Sequence, residues 1–239
     1  MKSLVFDAGP VISLTTNNLL WILDFLKHNF DGTFYIPHEV KVELVDKPLG
    51  SLRFKFEALQ VNSIIKNKTL TEITTTQITL LAQELMELAN HTFKTKGNWL
   101  RIVHYAEMEV LATAALMNAS AVVIDERTTK LLVEEPLKLV RVFEEKLGAK
   151  VFVNQRNIDA IKKWTAQIKI IRSIELVMIA YEKGAFSQFL PEGAEGGRTL
   201  VESLLWGVKL HGCAISKQDI QDIVRLETGV MPVNGQPLP

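Results

Sequence analysis

The chain of 239 residues has little of several features that define special protein classes. Its only cysteine is Cys213, which excludes an internal disulfide and a cysteine-based zinc site and favours a reducing, cytoplasmic compartment. The longest apolar stretch, residues 110–124, is shorter than a bilayer span and is broken by Asn118-Ala119-Ser120. Asp7 interrupts the apolar start of the chain, so we expect neither export nor membrane insertion.

Charge of one sign is not in excess, because lysine plus arginine and aspartate plus glutamate both number 27. Any contact with nucleic acid must therefore come from a local patch of basic residues. The five histidines show no HxxxH or HExxH spacing, which argues against a zinc hydrolase. Hydrophobic residues make up 47% and charged residues 23% of the chain, values typical of a globular protein with a sizeable core.

Short apolar runs alternate with helical patterns over the first two thirds of the chain. Strands are predicted at residues 4–6, 33–36, 121–124 and 148–153, with a further one near 138–143, and helices at 19–30, 38–45, 77–93, 106–117 and 127–133. Residues 49–75 stay open, although 54–65 suggest a strand or two. The alternation predicts an α/β fold of three layers, α/β/α, with a mostly parallel central sheet.

The pattern from residue 158 onward is helical throughout. Residues 158–183 predict one helix or two, residues 190–198 a glycine-rich loop, and residues 199–211 another helix. Ser216 can cap a last helix, with Asp219 three residues on. We therefore expect an α/β domain over residues 1–155, a C-terminal helical extension over 156–228 and a flexible tail over 229–239.

Four acidic residues occupy positions that predict a common site. Asp7 and Asp125 each follow a predicted strand, and the ligand sites of open α/β sheets lie at the carboxyl ends of strands. Glu43, after the second strand, and Glu107, in the first turn of the helix before Asp125, can face the same crevice. Because four carboxylates repel one another and hard oxygen ligands suit Mg²⁺ or Mn²⁺, the sequence predicts a divalent-metal site.

Two neighbouring acids leave the ligand set open. Glu109 is two positions from Glu107, roughly 200° around the helix, so only one of them can face the crevice. Glu126 stands next to Asp125 and is a credible substitute or auxiliary ligand. Taken singly, each acid also fits a bland role as a turn, cap or solvated residue.

The same residues carry the pattern of a known family. The stretches VFDAGPVISL (5–14), IPHEVKVEL (36–44), AEMEVLATA (106–114) and AVVIDER (121–127) resemble, in order and spacing, the acidic motifs of the PIN-domain family. The resemblance covers roughly residues 1–150 and selects Glu107 over Glu109. The chain is longer than the small members of that family, and its segment 49–98 is expanded.

The resemblance implies a metal-dependent nuclease, specifically an endoribonuclease that cuts single-stranded or structured RNA, with DNA as an alternative substrate. It implies that Asp7, Glu43, Glu107 and Asp125 are catalytic metal ligands, with Ser13 supporting them. Many relatives are toxins of prokaryotic toxin–antitoxin pairs, which implies an antitoxin-type protein partner. Self-association is a further expectation at the level of the family.

Weaker signals concern the substrate. Arg127 and Lys130 follow the last acid and could hold a phosphate, whereas most surface charges are simply solvated. A basic helix with one aromatic residue could track RNA, but its tryptophan equally fits a core position; its members are Lys162, Lys163, Trp164, Lys169 and Arg172. A non-catalytic nucleic-acid-binding or protein-binding module is the alternative function. An aspartyl phosphatase built on Asp7 fits poorly, because Gly9 stands where that chemistry needs a second acid.

Overall fold

The structure is a computed structural model that describes residues 2–229. Apart from Gly229, the predicted tail lies outside the described residues. The first half of the chain contains β1 (Lys2–Phe6), α1 (Ala8–Thr16), α2 (Ile22–Phe30), β2 (Gly32–Pro37), α3 (His38–Lys41), a π-helical turn (Val42–Asp46), α4 (Lys47–Leu49), α5 (Lys55–Lys66), β3 (Thr71–Ile73), α6 (Thr76–Asn90), β4 (Phe93–Thr95), β5 (Asn98–Trp99) and α7 (Tyr105–Met117). The second half contains β6 (Ala121–Val123), α8 (Arg127–Glu134), α9 (Lys138–Leu147), β7 (Val151–Val153), α10 (Gln155–Thr165), β8 (Ile170–Ile171), α11 (Ser173–Glu182), a 3₁₀ turn (Ser187–Phe189), α12 (Gly196–Leu210) and α13 (Lys217–Thr228).

A five-stranded parallel sheet forms the centre of the molecule, in the order β3-β2-β1-β6-β8. Val5 and Phe6 on β1 are fully buried, as expected of a strand covered on both faces. Helix α7 packs on β1 and β2, α6 packs on α7, and α2 contacts β2. The predicted three-layer α/β/α architecture with a mostly parallel sheet is confirmed.

A second sheet of three antiparallel strands, in the order β5-β4-β7, was not predicted as a sheet. Strands β4 and β5 form a hairpin around Lys96 and Gly97, whose φ angles of 47° and 85° are both positive. Two positive φ angles are the signature of the tight turn that matches strand twist. The strands are too short to show an alternating pattern in the sequence.

Two regions with strand-like composition are helical instead. The suggestion of strands within 54–65 is wrong, because α5 covers that region and buries Ala58, Val61 and Ile64 on one face. The strand expected near 138–143 is wrong in the same way, since α9 occupies it. Short apolar runs do not distinguish a strand from one face of a helix, and only packing decides between them.

The region after residue 158 is not all helical. Ile170 and Ile171 form β8, which pairs in parallel with Val122 and Val123 of β6 and extends the central sheet. A two-residue strand leaves no periodic signal in a sequence. The predicted cap of α13 is confirmed, because the Asp219 N–H donates to Ser216 Oγ at 3.0 Å. Within residues 2–229, no helix combines the length and apolar character needed to cross a bilayer.

Candidate metal centre

The strand ends bring Asp7 and Asp125 to one edge of the central sheet. Asp7 directly follows β1, and its N–H donates to the Val123 carbonyl at 3.0 Å, while Asp125 lies two residues beyond β6. Gly9 lies between the two acids. A Cβ placed on Gly9 would stand 3.5 Å from Asp7 Oδ2 and 3.7 Å from Asp125 Cβ, so both aspartates flank the same turn.

Asp7 shares its electrostatic environment with two of the predicted glutamates. It is buried at the start of α1, where Asp7 Oδ2 accepts the Gly9 N–H at 3.4 Å. The pKa of Asp7 is raised to about 7: burial contributes most and the charges of Glu107 and Glu43 contribute less, while hydrogen bonds from Ala8 and Gly9 act in the opposite direction. The fold therefore places like charges around a desolvated carboxyl group.

Glu107 lies at the start of α7, where Glu107 Oε2 accepts the His104 N–H at 3.1 Å. The pKa of Glu107 is raised to about 7, mainly by burial and also by the charges of Glu126 and Glu43. The nearby Thr129 hydroxyl lowers that pKa, although within residues 2–229 no group lies in good hydrogen-bond geometry to its buried oxygen. This oxygen is an unused polar group beside the acids.

Glu109 lies on another side of α7 and has a structural partner. Its side chain is buried, and Glu109 Oε2 accepts the Glu39 N–H at 2.8 Å at the start of α3. A free N–H at a helix start is a good donor to a carboxylate. Glu109 therefore fastens α7 to α3, while Glu107 faces Asp7 and Glu43.

Glu43 and Glu126 complete the acidic surroundings of Glu107. Glu43 belongs to the π-helical turn, a rare geometry that often accompanies functional sites, and its side chain is 38% exposed with Lys47 Nζ at 3.8 Å. It lies beside a cavity of about 200 Å³ that Leu44 and Phe54 help to line. Glu126 caps α8, accepting the Thr129 N–H at 2.6 Å.

Asp125 is bound by the C-terminal region. Its Oδ1 accepts the Ser173 N–H at 2.8 Å and its Oδ2 accepts the Ser173 hydroxyl at 2.7 Å. Burial raises the pKa of Asp125, while the bonds from Ser173 and the Cys213 thiol lower it. Among the described side chains, no three His, Cys, Asp or Glu residues are arranged as a set of metal ligands.

The remaining predicted site residues have other partners or none. The Ser13 hydroxyl donates to the Val208 carbonyl on α12 at 3.4 Å, and its predicted role in supporting the acids stays a prediction. Lys130 Nζ lies 3.0 Å from Glu134 in an ion pair. Arg127 is exposed at the start of α8. Trp164 on α10 is partly exposed rather than a core residue.

A family model described as PIN domain matches residues 3–135, which is more than half of the chain. The chain belongs to the PIN-domain family. Members are typically nucleases and generally use divalent metals. The part that matches the PIN domain includes Asp7, Glu43, Glu107 and Asp125, whereas Ser173 and Cys213 lie beyond it. Neither a curated protein nor a solved structure matches the chain.

Proposed function

We propose that this PIN domain is a divalent-metal-dependent endoribonuclease that cleaves phosphodiester bonds of single-stranded or structured RNA. The observation that carries the proposal is the environment of Asp7 and Glu107. Both are desolvated carboxyl groups with pKa values of about 7, and the negative charge of Glu43 contributes to both raised pKa values. Burying like charges is costly, and a bound cation is the usual way in which proteins offset that cost.

Mg²⁺ or Mn²⁺ fits the donor set at this edge of the sheet. Asp7, Glu43, Glu107 and Asp125 would hold the ion, with Glu126 as an auxiliary ligand. All of these donors are carboxylate oxygens, which hard divalent cations prefer. A carboxylate has about four acceptor positions, and Asp125 uses three of them for the Ser173 N–H, the Ser173 hydroxyl and the Cys213 thiol, so one position remains for an ion. The unpartnered Thr129 hydroxyl oxygen adds a neutral donor nearby.

The positions of these residues indicate what each would contribute to the reaction. When bound, the ion lowers the pKa of water and neutralises charge on the phosphate. With pKa values of about 7, Asp7 and Glu107 hold protons on a large fraction of molecules at neutral pH and must lose them before acting as ligands. Arg127, exposed after the last acid, is suited to contact a phosphate of the strand.

The decisive test is cleavage of end-labelled single-stranded RNA and DNA of one sequence by the purified full chain, with Mg²⁺, Mn²⁺ or chelator. Asp7→Asn is the test variant. Asp159→Asn is the matched control, because Asp159 is exposed and, among the described residues, accepts only from Gln155. We expect ion-dependent cleavage by the parent and the control and none by Asp7→Asn. Cleavage that persists in chelator or in Asp7→Asn would refute the proposal, and faster cleavage of DNA would refute the RNA assignment.

One observation favours a second candidate function, a non-catalytic nucleic-acid-binding module. Asp125 is bound through both oxygens by Ser173, and the described acids are not arranged as a ligand trio. Titration with Mn²⁺ in a calorimeter separates the two functions. The nuclease proposal requires saturable binding that Asp7→Asn abolishes, whereas RNA binding without ion binding or cleavage supports the module.

We infer self-association and an antitoxin-type protein partner from family resemblance alone. Exposed apolar residues on the C-terminal helices, such as Leu210 and Leu226, offer a surface for either contact. Size-exclusion chromatography with light scattering tests the first expectation. A monomer at micromolar concentration would count against self-association.

A further inference from the structure

The small antiparallel sheet presents one face to solvent. Its buried face carries Phe93, Thr95 and Val151, and Phe93 packs edge-on against Phe143 of α9. Side chains alternate between the faces of a strand, so the residues between these buried ones point outward. The three strands are thus held on the body of the protein by one face, and the other face is free to bind.

Register places two aromatic residues and one lysine in a row across that free face. Lys94 on β4 pairs with Trp99 on β5 and with Phe152 on β7. Residues directly opposite on neighbouring strands share a face. Trp99 is 42% exposed and Phe152 is 62% exposed, which is unusual for side chains of this size. We call Lys94, Trp99 and Phe152 the platform.

Basic residues surround the platform and lack acidic partners. Lys96 at the hairpin turn, Arg101 just after β5 and Lys150 just before β7 are all exposed. Across residues 2–229, neither these three nor Lys94 takes part in an ion pair. Glu87 pairs with His91 beside Trp99, but the four basic residues outnumber it, so this surface has the excess of positive charge that binding of a polyanion requires.

We propose that the platform binds single-stranded nucleic acid, with bases stacked on Trp99 and Phe152 and phosphates held by the surrounding lysine and arginine residues. Exposed aromatic side chains flanked by basic ones are the usual means by which proteins hold unpaired strands. Two strand spacings separate Trp99 from Phe152, about 10 Å, far more than the ~3.4 Å step of stacked bases in a duplex strand. The platform therefore suits splayed bases of a single strand and disfavours a duplex.

Lys94 links the stacking and phosphate contacts. Its Nζ lies 5.1 Å from the centre of the Trp99 ring, and His91 packs edge-on against the same ring. The lysine side chain is long and flexible, so its ammonium group can move to a phosphate while a base takes its place over the indole. Trp99 is held in position by its neighbours before a strand arrives.

The platform is connected to the acidic site by a short piece of chain. Trp99 and Glu107 are eight residues apart, so their Cα atoms lie within roughly 29 Å of each other. A bound single strand of several nucleotides is long enough to span that distance. This inference rests on the proposed nucleic-acid substrate, but it concerns binding and needs no metal.

The test measures binding separately from cleavage. The probes are labelled oligo(U) and oligo(dT) of about 12 nucleotides and a duplex of equal length. Each probe is titrated in chelator with the full chain carrying Asp7→Asn, and binding is measured by fluorescence anisotropy. Trp99→Leu and Phe152→Leu keep an apolar side chain but remove the stacking surface. Phe189→Leu is the matched control, because Phe189 is 54% exposed and lies on the 3₁₀ turn.

We expect the doubly substituted platform variant to bind either single strand roughly tenfold or more weakly, and Phe189→Leu to bind like its parent. Lys94→Gln should lower the slope of log affinity against log salt by about 1, since one phosphate contact is lost. The duplex should bind more weakly than either single strand. A preference for oligo(U) over oligo(dT) would identify RNA as the ligand.

Several results would overturn the platform. Unchanged affinity in the double variant, or an equal loss in Phe189→Leu, would refute it. A dimer that the platform substitutions convert to a monomer without any loss of strand binding would assign the surface to a protein contact instead. The chain could also cleave RNA in an ion-dependent way while Trp99 and Phe152 contribute nothing to oligonucleotide binding. That result would support the nuclease proposal and refute the platform. Binding through Trp99 and Phe152 without any ion-dependent cleavage would support the platform and refute the nuclease proposal.

Discussion

Two glutamates of α7 that are two positions apart in the sequence have different roles. Glu107 lies near Asp7, Glu43 and Glu126, whereas Glu109 accepts the Glu39 N–H. The helical period alone indicates that they point in different directions. It does not indicate which one meets Asp7, because that depends on how α7 is rotated against β1 and β2.

The first prediction compares Glu107→Ala with Glu109→Ala. Loss of Glu107 should reduce RNA cleavage by on the order of 100-fold or more, because a proposed ligand of the metal ion is removed. Loss of Glu109 should lower the free energy of unfolding by about 1–3 kcal/mol, because the Glu39 N–H loses its acceptor, with cleavage largely kept below the melting temperature. Cleavage rates and urea unfolding measure the two effects. Equal loss of cleavage in both variants would contradict the assignment.

The second prediction concerns the pH dependence of the metal-free protein. The pKa of Asp7 is about 7 in the folded chain and 3.8 as an ordinary aspartate, so the folded state binds more protons between these values. In chelator, the stability of the parent relative to Asp7→Asn should therefore fall as pH rises from about 4 to about 7 and stay low above that.

Asp7→Asn removes this carboxyl group and tests the same prediction. At pH 8 in chelator the variant should be more stable than the parent by on the order of 2 kcal/mol, because no buried charge forms. Added Mn²⁺ should then raise the melting temperature of the parent more than that of the variant. A difference in stability between the parent and Asp7→Asn that does not change with pH in chelator would contradict the environment described for Asp7.

At the scale of elements, the start of α11 sets the orientation of Asp125. Ser173 donates both its N–H and its hydroxyl to that carboxylate, although 48 residues separate them. The sequence offers no signal for this pairing, since Ser173 looks like an ordinary residue at a helix start. The π-helical turn that carries Glu43 is likewise invisible in a sequence, because one extra residue in a helical turn barely changes the apolar period.

The third prediction is that Ser173→Ala affects both stability and ion dependence. Removal of the hydroxyl should cost about 1–3 kcal/mol of unfolding free energy and shift the Mn²⁺ concentration for half-maximal cleavage by about 10–100-fold. Ser173→Thr should restore both properties, and Ser203→Ala, which removes an exposed hydroxyl on α12, is the control. A loss of stability without any shift in ion dependence would show that Ser173 is purely structural.

At the scale of the whole molecule, the region after residue 155 takes part in the central sheet. Its strand β8 pairs with β6, its helix α11 contacts α1 and α2, and Ser173 binds Asp125. The family match nevertheless ends at residue 135. Whether residues 1–155 form a domain that folds without the helical extension can therefore be tested directly.

The fourth prediction is that a fragment of residues 1–155 does not fold cooperatively. Without β8 and α11, the edge of β6 and the apolar faces of α1 and α2 would be exposed, and Asp125 would lose its hydrogen bonds from Ser173. Urea unfolding followed by circular dichroism should show no sharp transition for the fragment and one for the full chain. A fragment with a cooperative transition would instead establish residues 1–155 as an independent domain.

The sequence by itself determined the α/β class, the parallel sheet and the positions of Asp7 and Asp125 at strand ends, because apolar runs, helical periods and turn residues are local properties. The sequence also identified Glu43 and Glu107 as candidate site residues, because both lie next to those strands along the chain. Only the tertiary structure decided the helical state of 55–66, the addition of β8, the partners of Glu109 and Asp125, and the row formed by Lys94, Trp99 and Phe152. These depend on contacts between residues remote along the chain, which local patterns do not encode.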